Sequence, residues 1–252
     1  MILFVRLLAI AALLLAAGAA RAGDPDALWK LVHDRCVPGF LAAGNPAPCA
    51  EVVLPPGKGG GWVVLKDREG ATQYLVIPTE KITGIEDPAV LAPDAPNFFA
   101  AAWAARSYFL GKVGHDLPRG DISLAINSPY GRTQNQLHIH VDCVAPAVAD
   151  ALRDRLGSIG AAWAPLGTAL DGHPYRAMRV DGADLAENPF RLLAGDPSVG
   201  PAGIRTHTLV VVAETFPDGH DGFVLLDDQV DVPLGDRASG EELQDHACAI
   251  AH

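Results

Sequence analysis

Beyond a leading apolar stretch, the hydrophobic residues of this chain come in short runs separated by glycine, proline and charge. Residues 62–66 (Trp-Val-Val-Leu-Lys) and 73–78 (Gln-Tyr-Leu-Val-Ile-Pro), joined by a charged, Gly-containing segment, predict two hairpin-linked strands. Similar runs at 122–126, 137–143, 176–180, 208–213 and 223–226 predict further strands. Helical spacing is rarer. Asp24-Pro25 followed by Ala27, Leu28, Leu31 and Val32 reads as a short amphipathic helix. Residues 97–110, rich in Ala, Phe and Trp, form the clearest helical stretch, and 146–156 form another that stops at Gly157. Residues 241–250 read as a final helix with Ser239 as its N-cap, while 37–48 and 55–61 read as Pro/Gly-rich loops. Hairpin-linked strands interrupted by a few helices predict an α+β fold with a mostly antiparallel sheet flanked by helices.

Residues 1–22 carry Arg6, an apolar run over 7–20 and the tripeptide Ala20-Arg21-Ala22. That order is a secretory signal peptide or, if uncleaved, an N-terminal membrane anchor, and either puts the rest of the chain outside the cytoplasm. Residues 23–252 then suit a single domain, and 49% hydrophobic residues supply its core. Removing Arg6 and Arg21 takes the net charge from -11 to -13, which excludes a general nucleic-acid-binding surface. An anionic ligand must be held by local groups. The four cysteines of an exported chain argue for two disulfides. Cys36 and Cys49 flank the 37–48 loop and form the natural local pair, leaving Cys143 for Cys248, although four cysteines permit three pairings.

Candidate chemistry concentrates in residues 131–142, Gly-Arg-Thr-Gln-Asn-Gln-Leu-His-Ile-His-Val-Asp, where a polar turn directly precedes two histidines. Strand side chains alternate, so Gln136, His138, His140 and Asp142 share one face while Leu137, Ile139, Val141 and Cys143 face a core. Imidazoles spaced i, i+2 can divide the roles of attacking group and orienter. The same pair, with Asp142 as third donor, could ligate a metal, or the histidines could be structural. The Gly-Arg-Thr turn favours phosphate chemistry. His33, His115, His207 and His220 stand alone and read as solvated or packed, His173 as part of a turn, and His246 as packing near Cys248.

Gly131-Arg132-Thr133 followed by Gln136-Leu137-His138-Ile139-His140-Val141 resembles the signature of the histidine-triad superfamily, a Gly-Gln-Ser/Thr turn leading into His-x-His-x-His. Gln136 stands where the first histidine usually does. The wider pattern of Pro48-Cys49-Ala50-Glu51-Val52, Tyr74-Leu75, Pro78-Thr79, Pro96-Asn97-Phe98-Phe99, residues 123–128 and Gln244-Asp245-His246 resembles the CDP-diacylglycerol pyrophosphatase family, membrane-associated relatives of that superfamily. The resemblance implies a histidine-triad-like (HIT-like) fold with a C-terminal extension and hydrolysis of CDP-diacylglycerol to CMP and phosphatidate, without cofactor or metal. It implies that His138 is the nucleophile, that His140 orients and polarises the site with Gln136 beside it, and that Thr133, Arg132 and Asn127 contact the substrate. Lys66, at a strand end, is a further candidate for a phosphate. The implied place is the periplasmic face of a bacterial inner membrane, or the periplasm if the leader is cleaved, with homodimerisation left open. The runner-up is an exported metal-binding or ligand-binding protein using His138, His140 and Asp142 without turnover.

Overall fold

The computed structural model describes residues 23–56 and 60–252; the leader over 1–22 lies outside the described residues. Ten strands form one sheet: β1 (Glu51–Val53), β2 (Trp62–Lys66), β3 (Tyr74–Pro78), β4 (Ile122–Ile126), β5 (Ile139–Val144), β6 (Ala164–Leu170), β7 (His173–Asp181), β8 (His207–Thr215), β9 (Asp221–Gln229) and β10 (Gln244–Asp245). Their order is β1-β2-β3-β5-β4-β8-β9-β7-β6, and β10 pairs with the end of β5 beyond the reach of β3. Every pairing is antiparallel, as the short runs required.

The helices are few: α1 (Ala27–Leu31), α2 (Val37–Ala43), α3 (Phe98–Val113), α4 (Pro146–Arg153), α5 (Pro189–Ala194) and α6 (Gly200–Gly203). A π-helical turn over Val32–Cys36 joins α1 to α2, so the expected loop at 37–48 is helical in its first half, with Gly44 at φ 68 stopping it in the left-handed region. α3 starts where the Asn97 side chain caps the Ala100 N–H at 3.1 Å and ends at left-handed Gly114. No helix among the described residues is long and apolar enough to cross a membrane. The expected C-terminal helix does not form. Residues 241–250 instead give a 3-10 turn (Gly240–Leu243), β10 and a second 3-10 turn (Ala249–Ala251). Pairing with β5 and the Cys143–Cys248 disulfide outweigh the helical spacing there. Both expected disulfides, Cys36–Cys49 and Cys143–Cys248, are present.

One sheet face is covered by α3, whose Phe98, Phe99, Ala102, Trp103 and Phe109 pack on Val76, Leu124, Ile139, Val141, Val211 and Leu225. The opposite face has two separate covers. α4 places Val148 and Leu152 over Ala125, Val144, Val210 and Val212, while Val32 and Cys36 lie over Val63, Leu65, Leu75 and Ile77. Between these two apolar clusters runs the strip that carries the histidines, His138 just before β5 and His140 within it.

Candidate active site

The alternation read from the sequence holds. Leu137, Ile139, Val141 and Cys143 enter the α3 core, and His138, His140 and Asp142 fall on the other face. None of the polar four is freely exposed: Gln136 and Asp142 are fully buried, and His138 and His140 nearly so. The imidazoles meet edge to face with ring centres 4.8 Å apart, at the base of a cavity of about 480 Å³.

Hydrogen bonds assign the two rings different tasks. His138 Nδ1 lies 2.6 Å from the Gln136 carbonyl oxygen. A carbonyl only accepts, so the hydrogen of the neutral ring is on Nδ1 and Nε2 keeps its lone pair. Burial pulls His138 below its ordinary range, favouring that neutral form. His140 is depressed further, first by burial and then by the charges of His138 and His246. Its Nδ1 lies 3.1 Å from Glu241 Oε1 and 3.1 Å from the Gln73 amide, leaving Nε2 buried and without a partner among the described residues. Asp142 accepts from Thr72 Oγ1 at 3.0 Å and His246 Nδ1 at 2.8 Å, so both oxygens are engaged away from the histidine pair. The hydrogen bond to Asp142 raises His246 above its ordinary value.

The polar turn closes the cavity from above. Gln134 accepts from the Leu28 N–H and donates to the Asp24 carbonyl, both at 3.1 Å, and Asn135 N–H donates to the Pro25 carbonyl at 2.6 Å. The turn is thereby clamped to the start of α1, whose Ala27, Leu28 and Leu31 form an apolar cavity wall with Leu65 and Leu75. Among the described residues, the N–H groups of Thr133 and Gln134 donate to no protein acceptor. Successive free N–H groups at a turn suit an anion.

Of the expected contacts, Thr133, Asn127 and Lys66 line this cavity. Lys66 Nζ donates to the carbonyls of Asp67 (2.6 Å) and Gly70 (3.1 Å), which leaves one of its three hydrogens for a ligand. Asn127 donates to Glu241 Oε2 and accepts from the Glu241 N–H and Ser239 Oγ, each at 3.2 Å, so it positions Glu241 as well as facing the cavity. Two expected contacts are placed elsewhere. Arg132 makes a bidentate pair with Glu86, and the Gln136 side chain donates to the carbonyls of Pro78 and Glu80, tying the turn to the end of β3. Gln136 serves the cavity through its backbone carbonyl. The sequence reading missed Glu241, Gln73 and Thr72 and assigned His246 to packing; β10 and the turn before it bring Glu241 and His246 to the site.

The sequence model of the CDP-diacylglycerol pyrophosphatase family matches residues 23–252. The chain belongs to this family. A relative from Yersinia pestis, a CDP-diacylglycerol pyrophosphatase, is 43% identical over 231 residues, covering 91% of this chain and 86% of that protein. The match takes in every cavity residue from Ala27 to Glu241, so the geometry above belongs to a hydrolase family for which a cleavage site at a diphosphate is the expected chemistry.

Proposed function

We propose that this enzyme hydrolyses CDP-diacylglycerol to CMP and phosphatidate through a nucleotide carried on His138, by histidine-triad-type chemistry. The observation that carries the reading is the fixed tautomer: the Gln136 carbonyl holds Nδ1–H and leaves a lone pair on Nε2 of a neutral imidazole. In the first step Nε2 bonds to the cytidine-side phosphorus and the bridging P–O bond breaks, its electron pair leaving with phosphatidate. In the second, water attacks that phosphorus, the P–N bond breaks and CMP departs. The Thr133 hydroxyl, the free N–H groups of Thr133 and Gln134 and the remaining Lys66 hydrogen supply donors for non-bridging oxygens as charge builds on them. Glu241 and Gln73 hold His140 against His138.

A cavity of about 480 Å³ is in the range of headgroup-sized ligands. Its apolar wall on α1 lies beside Asp24, where the chain emerges from the leader, and on this reading the acyl chains remain in a bilayer at the periplasmic face while the headgroup enters. The metal-binding alternative is not favoured, because Asp142 is bound to Thr72 and His246 rather than turned to the histidine pair.

Hydrolysis in oxygen-18 water tests the mechanism. Label is expected in CMP, together with an acid-labile nucleotide adduct on the peptide containing His138. Label chiefly in phosphatidate would exclude a CMP-histidine intermediate.

A further inference from the structure

A second cavity, of about 510 Å³, opens on the far half of the sheet, at the β6–β7 hairpin and the end of β9. One ring nitrogen of His173, one oxygen of Asp228 and one of Asp236 lie within 4.8 Å of one another there. Asp228 is 3% exposed, and its Oδ2 has no hydrogen-bond partner among the described residues, although Oδ1 accepts the Gln229 N–H at 2.8 Å. Asp236 is equally buried, one oxygen accepting the Ala238 N–H. Glu242 adds a third carboxylate, 2.7 Å from both His173 Nδ1 and the Tyr175 hydroxyl. The neighbouring cationic side chains are committed elsewhere: Arg176 to Asp227 and Asp196, and His207 to Asp227. His173 Nδ1 faces Asp236 at 3.7 Å and Glu242 at 2.7 Å, but no basic group pairs with Asp228 among the described residues, and a lone buried carboxylate oxygen calls for a donor or a cation.

We propose that His173, Asp228 and Asp236 form a divalent-cation site, with Glu242 orienting the imidazole. One nitrogen and several carboxylate oxygens suit Mn2+ or Zn2+ better than the all-oxygen preference of Ca2+. With Nδ1 held by Glu242, Nε2 is the nitrogen left to ligate, and a carboxylate on the other ring nitrogen is the usual outer partner of such a site.

The site would brace the histidine cavity. Asp236 and Glu242 sit near the two ends of a strap, residues 236–242. Between them the Arg237 and Ala238 carbonyls accept from Ser128, Ser239 meets Asn127, and Glu241 reaches His140. Gly240 lies so close to β4 that a Cβ would stand 2.6 Å from the Ile126 carbonyl oxygen. Fixing both ends with one ion fixes Glu241 between them. The ion takes no part in bond breaking, so chelation should lower thermal stability without abolishing turnover.

The test uses the purified, chelator-treated protein titrated calorimetrically with Mn2+ alone and Zn2+ alone. One ion should bind per chain and raise Tm, and Asp228→Asn should weaken Mn2+ binding by about 100-fold or more with an unchanged circular dichroism spectrum. Should Asp228→Asn fail to fold, Asp236→Asn and the visible spectrum of the Co2+-loaded wild type, which His173→Gln must alter, decide instead. No binding at millimolar metal, or binding that the Asp228, Asp236 and His173 substitutions all leave intact, would overturn the site.

Discussion

Arg132 stands where a diphosphate contact was expected, yet its guanidinium grips Glu86, with Nη1 2.6 Å from Oε2 and Nη2 2.5 Å from Oε1. Its side chain is 8% exposed and that of Glu86 23%. An exposed ion pair contributes about 0–1 kcal/mol, whereas removing one partner of a buried pair costs about 3–5 kcal/mol. This pair lies between those limits, so Glu86→Gln should cost about 2–3 kcal/mol. If Arg132 clamps the polar turn through Glu86, Arg132→Ala should cost a similar amount and the double variant little more. A double-mutant cycle by urea denaturation would then give a coupling of about 2 kcal/mol, within the range for contacting residues, with unchanged m-values. Both single variants should raise KM for CDP-diacylglycerol together, because both loosen the turn carrying Thr133. Burial pushes the Glu86 carboxyl up, but the Arg132 hydrogen bonds and charge more than offset it and hold it below its ordinary value. A depressed carboxylate stabilises the fold above its unfolded value, near 4.5, and that contribution is lost as pH falls through the folded value. The gap between wild type and Glu86→Gln should therefore close in acid. Coupling under about 0.5 kcal/mol, the error of additivity for independent sites, would refute the clamp. So would an Arg132→Ala variant that loses turnover while Glu86→Gln keeps it.

His138→Ala should lose several orders of magnitude in turnover while its circular dichroism spectrum is preserved, and near-normal activity would remove the proposed nucleophile. His246, raised by its bond to Asp142, contributes stability that is complete below the unfolded value near 6.5 and lost as pH rises through the folded one. His246→Gln should accordingly destabilise the protein more at pH 6 than at pH 9, and an equal effect at both would contradict that pairing. Replacing Cys143 and Cys248 by Ala should cost about 2–5 kcal/mol, since the bridge closes a separation of 105 residues. Non-reducing peptide mapping should recover both bridges, and four titratable thiols in the native protein would disprove them.

The strands with β-branched runs and the Ala-rich α3 were readable because one local pattern decided each. β6 was not. Its sequence, Ala-Pro-Leu-Gly-Thr-Ala-Leu, has mostly exposed positions and few β-branched residues, and the informative signal is the Asp171-Gly172 pair after it, with φ of 47 and 90. His173 thus begins β7 rather than sitting within a turn. The 241–250 segment has helical spacing, but Ser239 turns its hydroxyl to Asn127 instead of capping, and Cys248 is bound to β5. In the site, alternation along β5 and the residues leading into it revealed His138 and His140. The partners of His140, Gln73 and Glu241, stand 67 or more positions away, as does His246 from its partner Asp142, and only strand pairing brings them near. The commitment of Arg132 to Glu86 likewise spans 46 residues and leaves no local trace.

Segments far apart in the described chain wall the histidine cavity, Ala27, Leu28 and Leu31 on one side and Glu241 on the other, with His246 bonded to Asp142 beside it. This bears on when an individual molecule becomes competent. A nascent or clipped polypeptide ending before Glu241 already contains both histidines and the Thr133 turn, but lacks the carboxylate that faces His140 and the partner of Asp142. Assembly of the site therefore waits on the segment from Glu241 to His246. A protease cut between β9 and Glu241 in a finished copy would not shed that segment, because the Cys143–Cys248 bridge and the pairing of β10 still tie it to β5.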